Sequence, residues 1–141
     1  MKFNLVQMTR FTMFLQADFA NSFVGGGVLG QGCVQEEIRF LTCPELILSR
    51  LFTERLSDLE VLFVTGFECF SKHTGYGQSF KFDKPYKDKT KVVPTSSGPR
   101  RLSYLVAMDA VHFQNPLKQY TKYSIDRELN KAFVAFNTDL E

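Results

Sequence analysis

The residues best equipped for chemistry lie between Asp18 and Phe40. Asp18-Phe19-Ala20-Asn21 leads to Gly25-Gly26-Gly27, then to Gly30 and Gly32, then to Gln35-Glu36-Glu37. Glycine has no Cβ, so its backbone N–H can approach an oxygen-rich ligand and its φ can turn positive. Successive N–H groups in such a turn form an anion nest, and a following helix N-terminus adds partial positive charge. On its own a triple glycine reads first as a flexible turn. No G-x-G-x-x-G opens the helix directly, which argues against the dinucleotide fingerprint, and no Lys-Ser/Thr follows the glycines, which excludes the P-loop. The acids change the weight. Their plain reading is charge matching, because Glu36 and Glu37 at a helix start suit its dipole. Neighbouring helical residues point about 100° apart, so the pair is expected to serve two directions. One acid would face a ligand while the other holds a hydroxyl or the loop. A carboxyl in a water-poor cleft beside a diphosphate has a raised pKa. That suits a general acid acting on an acetal oxygen, the chemistry that opens glycosidic bonds.

Other candidates are weaker. Tyr76, after Thr74-Gly75, reads either as an exposed aromatic suited to base stacking or as a tyrosine capping a core edge. His73 reads as a loop residue and His112 as a satisfied structural histidine, since neither accompanies a G-x-S-x-G nucleophile. Cys33, Cys43 and Cys69 show no C-x-x-C spacing, so they read as reduced core residues of a cytosolic or nuclear protein. From Lys72 to Arg101 eight basic residues face two acids, a net +6 that leaves −4 for the rest of a chain whose total is +2. The stretch is rich in proline and poor in aliphatics, and residues 81–101 read as a solvated hairpin or loop. Its charge either keeps it in water or helps attract a polyanion.

These residues need elements to position them. Phe11 to Ala17 reads as a strand that ends at Asp18 to Asn21, and Gln35 to Leu41 as a short helix. Pro44 fits the first position of a further helix, in which Leu48, Leu51, Phe52 and Leu56 form one stripe. Leu59 to Thr65 fits a strand buried on both faces, and Leu102 to Ala110 another. Ile125 to Phe136 places Ile125, Leu129, Ala132, Phe133 and Phe136 on one helical face, expected to meet the core. Strands alternating with helices argue for an α/β layered fold with a largely parallel or mixed sheet.

At 141 residues, 44% hydrophobic and 23% charged, the chain has the composition of an ordinary globular domain. Disordered, collagen-like and disulfide-scaffold classes are excluded. No run of 18 apolar residues suggests a membrane span, and Gln7, Thr9 and Arg10 interrupt the N-terminus too early for a signal peptide. Fifteen phenylalanines, among them Phe14, Phe19, Phe52, Phe63 and Phe133, read most simply as core.

Taken together, these motifs resemble the catalytic macrodomain of poly(ADP-ribose) glycohydrolases. That family carries three glycines, a short spacer and Gln-Glu-Glu; here the spacer is Val28 to Val34. The likeness continues through Asp18 to Asn21, Glu36 to Leu41, Pro44 to Ile47, Ser49 to Glu54, Thr74 to Tyr76, Met108 to Phe113 and Arg127 to Ala132. It covers residues 15–136 and is weakest between Phe82 and Pro99. The resemblance implies an α/β macrodomain-like mixed sheet flanked by helices. It implies hydrolysis of the ribose–ribose O-glycosidic bonds of poly(ADP-ribose), with release of ADP-ribose. Glu37 would be the general acid/base. Glu36 and Gln35 would position the terminal ribose and the scissile bond, and Asn21 would hold that ribose. Gly25, Gly26 and Gly27 would wrap the ribose and diphosphate, and Tyr76 would stack on the adenine. The implied partners are poly(ADP-ribose) and ADP-ribose, with no cofactor, no metal, no membrane and no sequence-specific nucleic acid. The implied setting is nuclear or cytoplasmic, in the response to DNA damage. The family's preceding accessory segment and its following second glycine-rich loop have no counterpart. Residues 1–141 are therefore expected to be a single partial domain, incomplete at both ends and exposing apolar surface. The alternative is a truncated ADP-ribose-binding module or an inactive remnant.

Overall fold

The computed structural model describes residues 15–137. In chain order these are β1 (Leu15–Ala20), α1 (Gln35–Thr42), a 3₁₀ segment (Pro44–Leu51), β2 (Leu62–Thr65) and β3 (Ser71–Thr74). After a short 3₁₀ turn come β4 (Lys81–Pro85), β5 (Val92–Thr95), β6 (Gly98–Arg101), β7 (Tyr104–Asp109), a further 3₁₀ turn and α2 (Lys122–Phe136). The main sheet has the order β1-β7-β2. β7 runs parallel to β1, with Asp18 opposite Ala107, and antiparallel to β2. The fold is α/β with a mixed sheet, as the alternation of strands and helices implies.

β7 is the central strand and is buried along most of its length, in keeping with its near-continuous apolar run. The core gathers Val24, Val28, Phe40, Cys43, Leu46, Phe67 and Leu105 between the sheet and α1. In β1 the pleat alternates. Asp18 and Ala20 point inward and Phe19 is exposed. β1 ends at Ala20, within the expected end at Asp18 to Asn21, and Phe11 to Phe14 lie outside the described residues.

Several expectations are corrected. Pro44 opens a 3₁₀ segment rather than an α-helix. Residues three apart eclipse in a 3₁₀ turn, so Leu48 and Leu51 share the outward edge while Leu46 is fully buried. Phe52 is 86% exposed, and only Leu56 of the expected stripe reaches the core. β2 is an edge strand, partly rather than doubly buried. Residues 81–101 are not one hairpin: β4 pairs with β3, and β5 pairs with β6. His73 lies in β3 rather than in a loop, and His112 is exposed because the chain leaves the sheet after Asp109. Among the phenylalanines, Phe40 and Phe67 fill the core, whereas Phe19, Phe52 and Phe133 are exposed.

Helix α2 is rotated from its expected orientation. Its buried residues are Ser124, Arg127, Lys131 and Ala135, while Ile125, Leu129, Phe133 and Phe136 are exposed. The cause is Asp109 at the end of β7. Its buried carboxylate pairs with Arg127 Nη2 at 2.8 Å and Lys131 Nζ at 2.5 Å. Arg127 Nε reaches Asp58 Oδ1 at 2.9 Å, and Lys131 Nζ donates to Ser57 O at 2.6 Å. An unpaired buried carboxylate is so costly that it turns the charged face of the helix toward the sheet.

Cys43 and Cys69 form a disulfide, and Cys33 is free. This overturns the expectation of three reduced thiols. The Phe70 N–H donates to Thr42 O at 2.9 Å, which lays the two segments side by side. Spacing along the chain carries no sign of that contact.

Candidate active site

The glycine loop between β1 and α1 is an ordered series of turns. Gly26 N–H donates to Phe23 O at 3.0 Å, Val28 N–H to Gly25 O at 3.0 Å, and Gly30 N–H to Gly27 O at 2.8 Å. Arg50 Nη1 donates to Gly26 O at 3.0 Å and ties the loop to the 3₁₀ segment. Gly25 and Gly26 have φ of 90° and 46°, in the left-handed region that glycine adopts freely. A side chain at Gly26 would also collide with both acids, since its Cβ would lie 2.7 Å from Glu36 Oε2 and closer still to Glu37 Oε1.

Both carboxylates reach the same loop, although their residues are neighbours on the helix. Glu36 accepts the N–H of Gly25 and, at 2.9 Å, that of Asn21. Glu37 accepts the N–H of Gly27 at 2.9 Å and that of Val34 at 3.0 Å. The anion nest read from the sequence is therefore filled by the protein's own acids. Both acids thus hold the loop, including the one the sequence assigns to a ligand.

This bonding fixes the electrostatics. Burial acts to raise the Glu37 pKa, but the N–H groups of Gly27 and Val34 stabilise the carboxylate more, and the net direction is down. The raised pKa expected beside a diphosphate therefore requires a ligand that displaces these N–H groups. Glu36 goes up: burial dominates, and the bonds from Asn21 and Gly25 offset only part of it.

Asp18 is the residue the sequence reading passed over. It is fully buried, and neither carboxyl oxygen has a hydrogen-bond partner among the described residues. Burial first, then the nearby charge of Glu36, push its pKa up to about 7, against the opposing pull of Arg39. A charged residue between Ala17 and Phe19, in a strand otherwise apolar but for Gln16, was the available signal.

The remaining candidates converge on the head of α1. The Gln35 side-chain amide bridges the β1 backbone: Nε2 donates to Ala17 O and Oε1 accepts from Phe19 N–H, both at 2.9 Å. Gln35 N–H donates to the hydroxyl of Tyr76 at 3.2 Å, and Tyr76 is 58% exposed. Asn21 is exposed, and its Oδ1 accepts from Phe23 N–H at 3.0 Å. Asn21, Gly25, Gly26, Gly27, Gln35, Glu36, Glu37 and Tyr76 thus surround one helix N-terminus, with Asp18 beneath. Such a site combines carboxyl groups of different proton affinity with backbone donors, which are the parts that acid–base cleavage of an acetal needs. Among the described residues no group of three or more His, Cys, Asp or Glu is placed to hold a metal ion. No described helix is long and apolar enough to cross a membrane.

Comparison with known proteins gives the site its context. The family model for poly(ADP-ribose) glycohydrolase, macro domain fold, matches residues 5–141. Poly(ADP-ribose) glycohydrolase 1 of Arabidopsis thaliana is 43% identical over 122 residues, covering 86% of this chain and 22% of that protein. Poly(ADP-ribose) glycohydrolase 1 of Caenorhabditis elegans is 38% identical over 130 residues, covering 86% of this chain and 16% of its own. Poly(ADP-ribose) glycohydrolase 2 of the same animal is 34% identical over 149 residues, at 95% and 29% coverage. The chain thus spans less than a third of the length of these relatives.

Proposed function

The chain belongs to the poly(ADP-ribose) glycohydrolase family of macro domain fold, and from that premise we propose that it hydrolyses the ribose–ribose O-glycosidic bonds of poly(ADP-ribose) and releases ADP-ribose. The observation that carries this reading is the pairing of Glu36 and Glu37 with the N–H groups of Asn21, Gly25, Gly27 and Val34. Those donors are held in place by the two carboxylates and become an anion-binding array for a ligand that displaces them.

In the proposed mechanism the substrate's diphosphate and terminal ribose enter the loop of Gly25, Gly26 and Gly27. They take over backbone donors that now serve Glu37. Loss of those bonds beside a new negative charge drives the Glu37 pKa upward, so the ligand itself creates the protonated acid. Glu37 then protonates the leaving ribose oxygen as an oxocarbenium-like transition state forms. The resulting carboxylate next activates the water that attacks the anomeric carbon. Glu36 and Asn21 hold the terminal ribose. Gln35, already braced against β1, sets the depth of the site, and Tyr76 stacks on the adenine. One acid–base carboxyl acting near a diphosphate differs from the usual two-carboxylate plan of glycosidases.

The test is ADP-ribose release from poly(ADP-ribose), compared between the native chain and Glu37→Gln. Release that disappears in the variant supports the enzyme. ADP-ribose binding by calorimetry without any release supports a binding module instead.

A further inference from the structure

Residues 33–43, which contain α1, and residues 69–77, which contain β3, lie side by side and run in opposite directions. At one end the Phe70 N–H donates to Thr42 O at 2.9 Å, and the Cys43–Cys69 disulfide closes the contact. At the other end the Gln35 N–H donates to the Tyr76 hydroxyl at 3.2 Å, and the Gly77 N–H donates to Cys33 O at 3.0 Å. The hydrogen bonds are individually modest. The disulfide is covalent and joins cysteines 26 residues apart, so it restricts the chain far more. It ties the foot of α1, whose head carries Glu36 and Glu37, to the strand that leads to Tyr76.

The two sulfurs are not equivalent. Cys43 is fully buried, whereas Cys69 is part-buried and forms part of a cavity wall between α1 and the β3–β4 hairpin. An incoming thiolate therefore reaches Cys69 first, which makes Cys43 the leaving group. Arg39 Nη1 stands 3.9 Å from each sulfur, and a cation beside a sulfur favours the thiolate that must depart. The loop before β3 keeps other anchors when the bridge opens. Phe67 sits in the core, the Ser103 hydroxyl donates to Phe67 O, and the Cys69 N–H donates to Asp88 Oδ2 at 3.1 Å. Opening the bridge thus frees the two segments from each other without unfolding either.

We propose that Cys69 is a thiol-exchange site for a dithiol reductant and that the Cys43–Cys69 bridge is a redox latch, which when closed holds β3 and Tyr76 against the head of α1. The reductant's thiolate attacks Cys69 Sγ. A mixed disulfide forms as the Cys43–Cys69 bond breaks, and Cys43 leaves as a thiolate that takes up a proton. The reductant's second thiol then displaces Cys69, which leaves in the same way. Two electrons pass to the protein, and the reductant ends as a disulfide. With the latch open, the Gln35–Tyr76 and Cys33–Gly77 contacts open more often. Glu36 and Glu37 keep their loop donors, so substrate binding weakens while the chemical step is spared. That last consequence rests on the glycohydrolase reading; the latch itself does not.

The test uses the chain carrying Cys33→Ser, so that every thiol counted belongs to the bridge, and dithiothreitol as the dithiol. Without denaturant, dithiothreitol is expected to expose two thiols to a maleimide, and its oxidised form to close them again. Opening should speed amide hydrogen exchange at Gln35 and Gly77 at least tenfold. It should raise KM for poly(ADP-ribose) at least fivefold and leave kcat within twofold. Cys69→Ser should hold the reduced values whatever the reagent; if that variant fails to fold, the reversible cycle on the native sulfurs still gives the result. A bridge that dithiothreitol opens only in urea overturns the proposal by making it a structural staple. Unchanged exchange at both amides overturns it too, as does a KM that ignores the redox state in an active chain. Reversible thiols with faster exchange, in a chain that hydrolyses no polymer in either state, leave the latch standing and count against the glycohydrolase reading. Hydrolysis that depends on Glu37 but is blind to dithiothreitol does the reverse.

Discussion

Asp18 links the site to pH. The unfolded chain gives up this proton near 3.8, whereas the folded chain keeps it until about 7. The folded state binds more protons across that window, so its stability falls as pH rises through it and levels off above. At about 1.4 kcal/mol per unit the loss approaches roughly 4 kcal/mol. Urea unfolding at pH 4 and pH 8 measures it. The native chain is expected to lose stability between the two, and Asp18→Asn is expected to lack that component and to be the more stable form at pH 8. A native chain no less stable at pH 8 would show that Asp18 is ionised in the fold. At this scale the sequence was informative about identity and poor about environment. Gly25, Gly26, Gly27, Glu36 and Glu37 stood out by type and spacing. The direction of the Glu37 shift did not, because it depends on which N–H groups the loop turns toward it.

Between elements, the β1–loop–α1 unit was legible because its signals are local: an apolar strand, glycines, then a helix of eight residues that starts at Gln35. The orientation of α2 was not. Its apolar period is genuine, yet the helix presents Arg127 and Lys131 to the sheet, and Lys131 is only 2% exposed. A buried aspartate contributed by a distant strand overrode the pattern. Asp109→Ala would remove the shared carboxylate and leave both cations short of charge in a buried setting. A destabilisation of about 3 kcal/mol follows, since stranding buried charge is strongly unfavourable. Replacing Asp109, Arg127 and Lys131 together by Leu, Met and Met should recover much of that loss. Denaturant midpoints of the two variants test the account, and a single substitution that changes nothing would contradict it. The Cys43–Cys69 bridge was hidden for a related reason, since the end of α1 and the loop before β3 meet there only after folding.

Across the whole molecule, the near-neutral total conceals a basic hairpin region and an acidic remainder that holds Asp18, Glu36 and Glu37. The rotated α2 also leaves Ile125, Leu129, Phe133 and Phe136 on the surface. Exposed apolar patches of this kind drive association. Sedimentation velocity is expected to show concentration-dependent self-association that Phe133→Glu weakens; a monodisperse monomer at all concentrations would argue otherwise. Fold class and family were readable because the motifs extend along most of the chain, whereas the outward face of each element depended on partners remote in sequence. The central claim concerns Glu37, and ADP-ribose release from poly(ADP-ribose) tests it most directly. The account predicts release by the native chain and at least a hundredfold loss in Glu37→Gln, about 2.7 kcal/mol or more of transition-state stabilisation. Release that persists in Glu37→Gln at the native rate would contradict it.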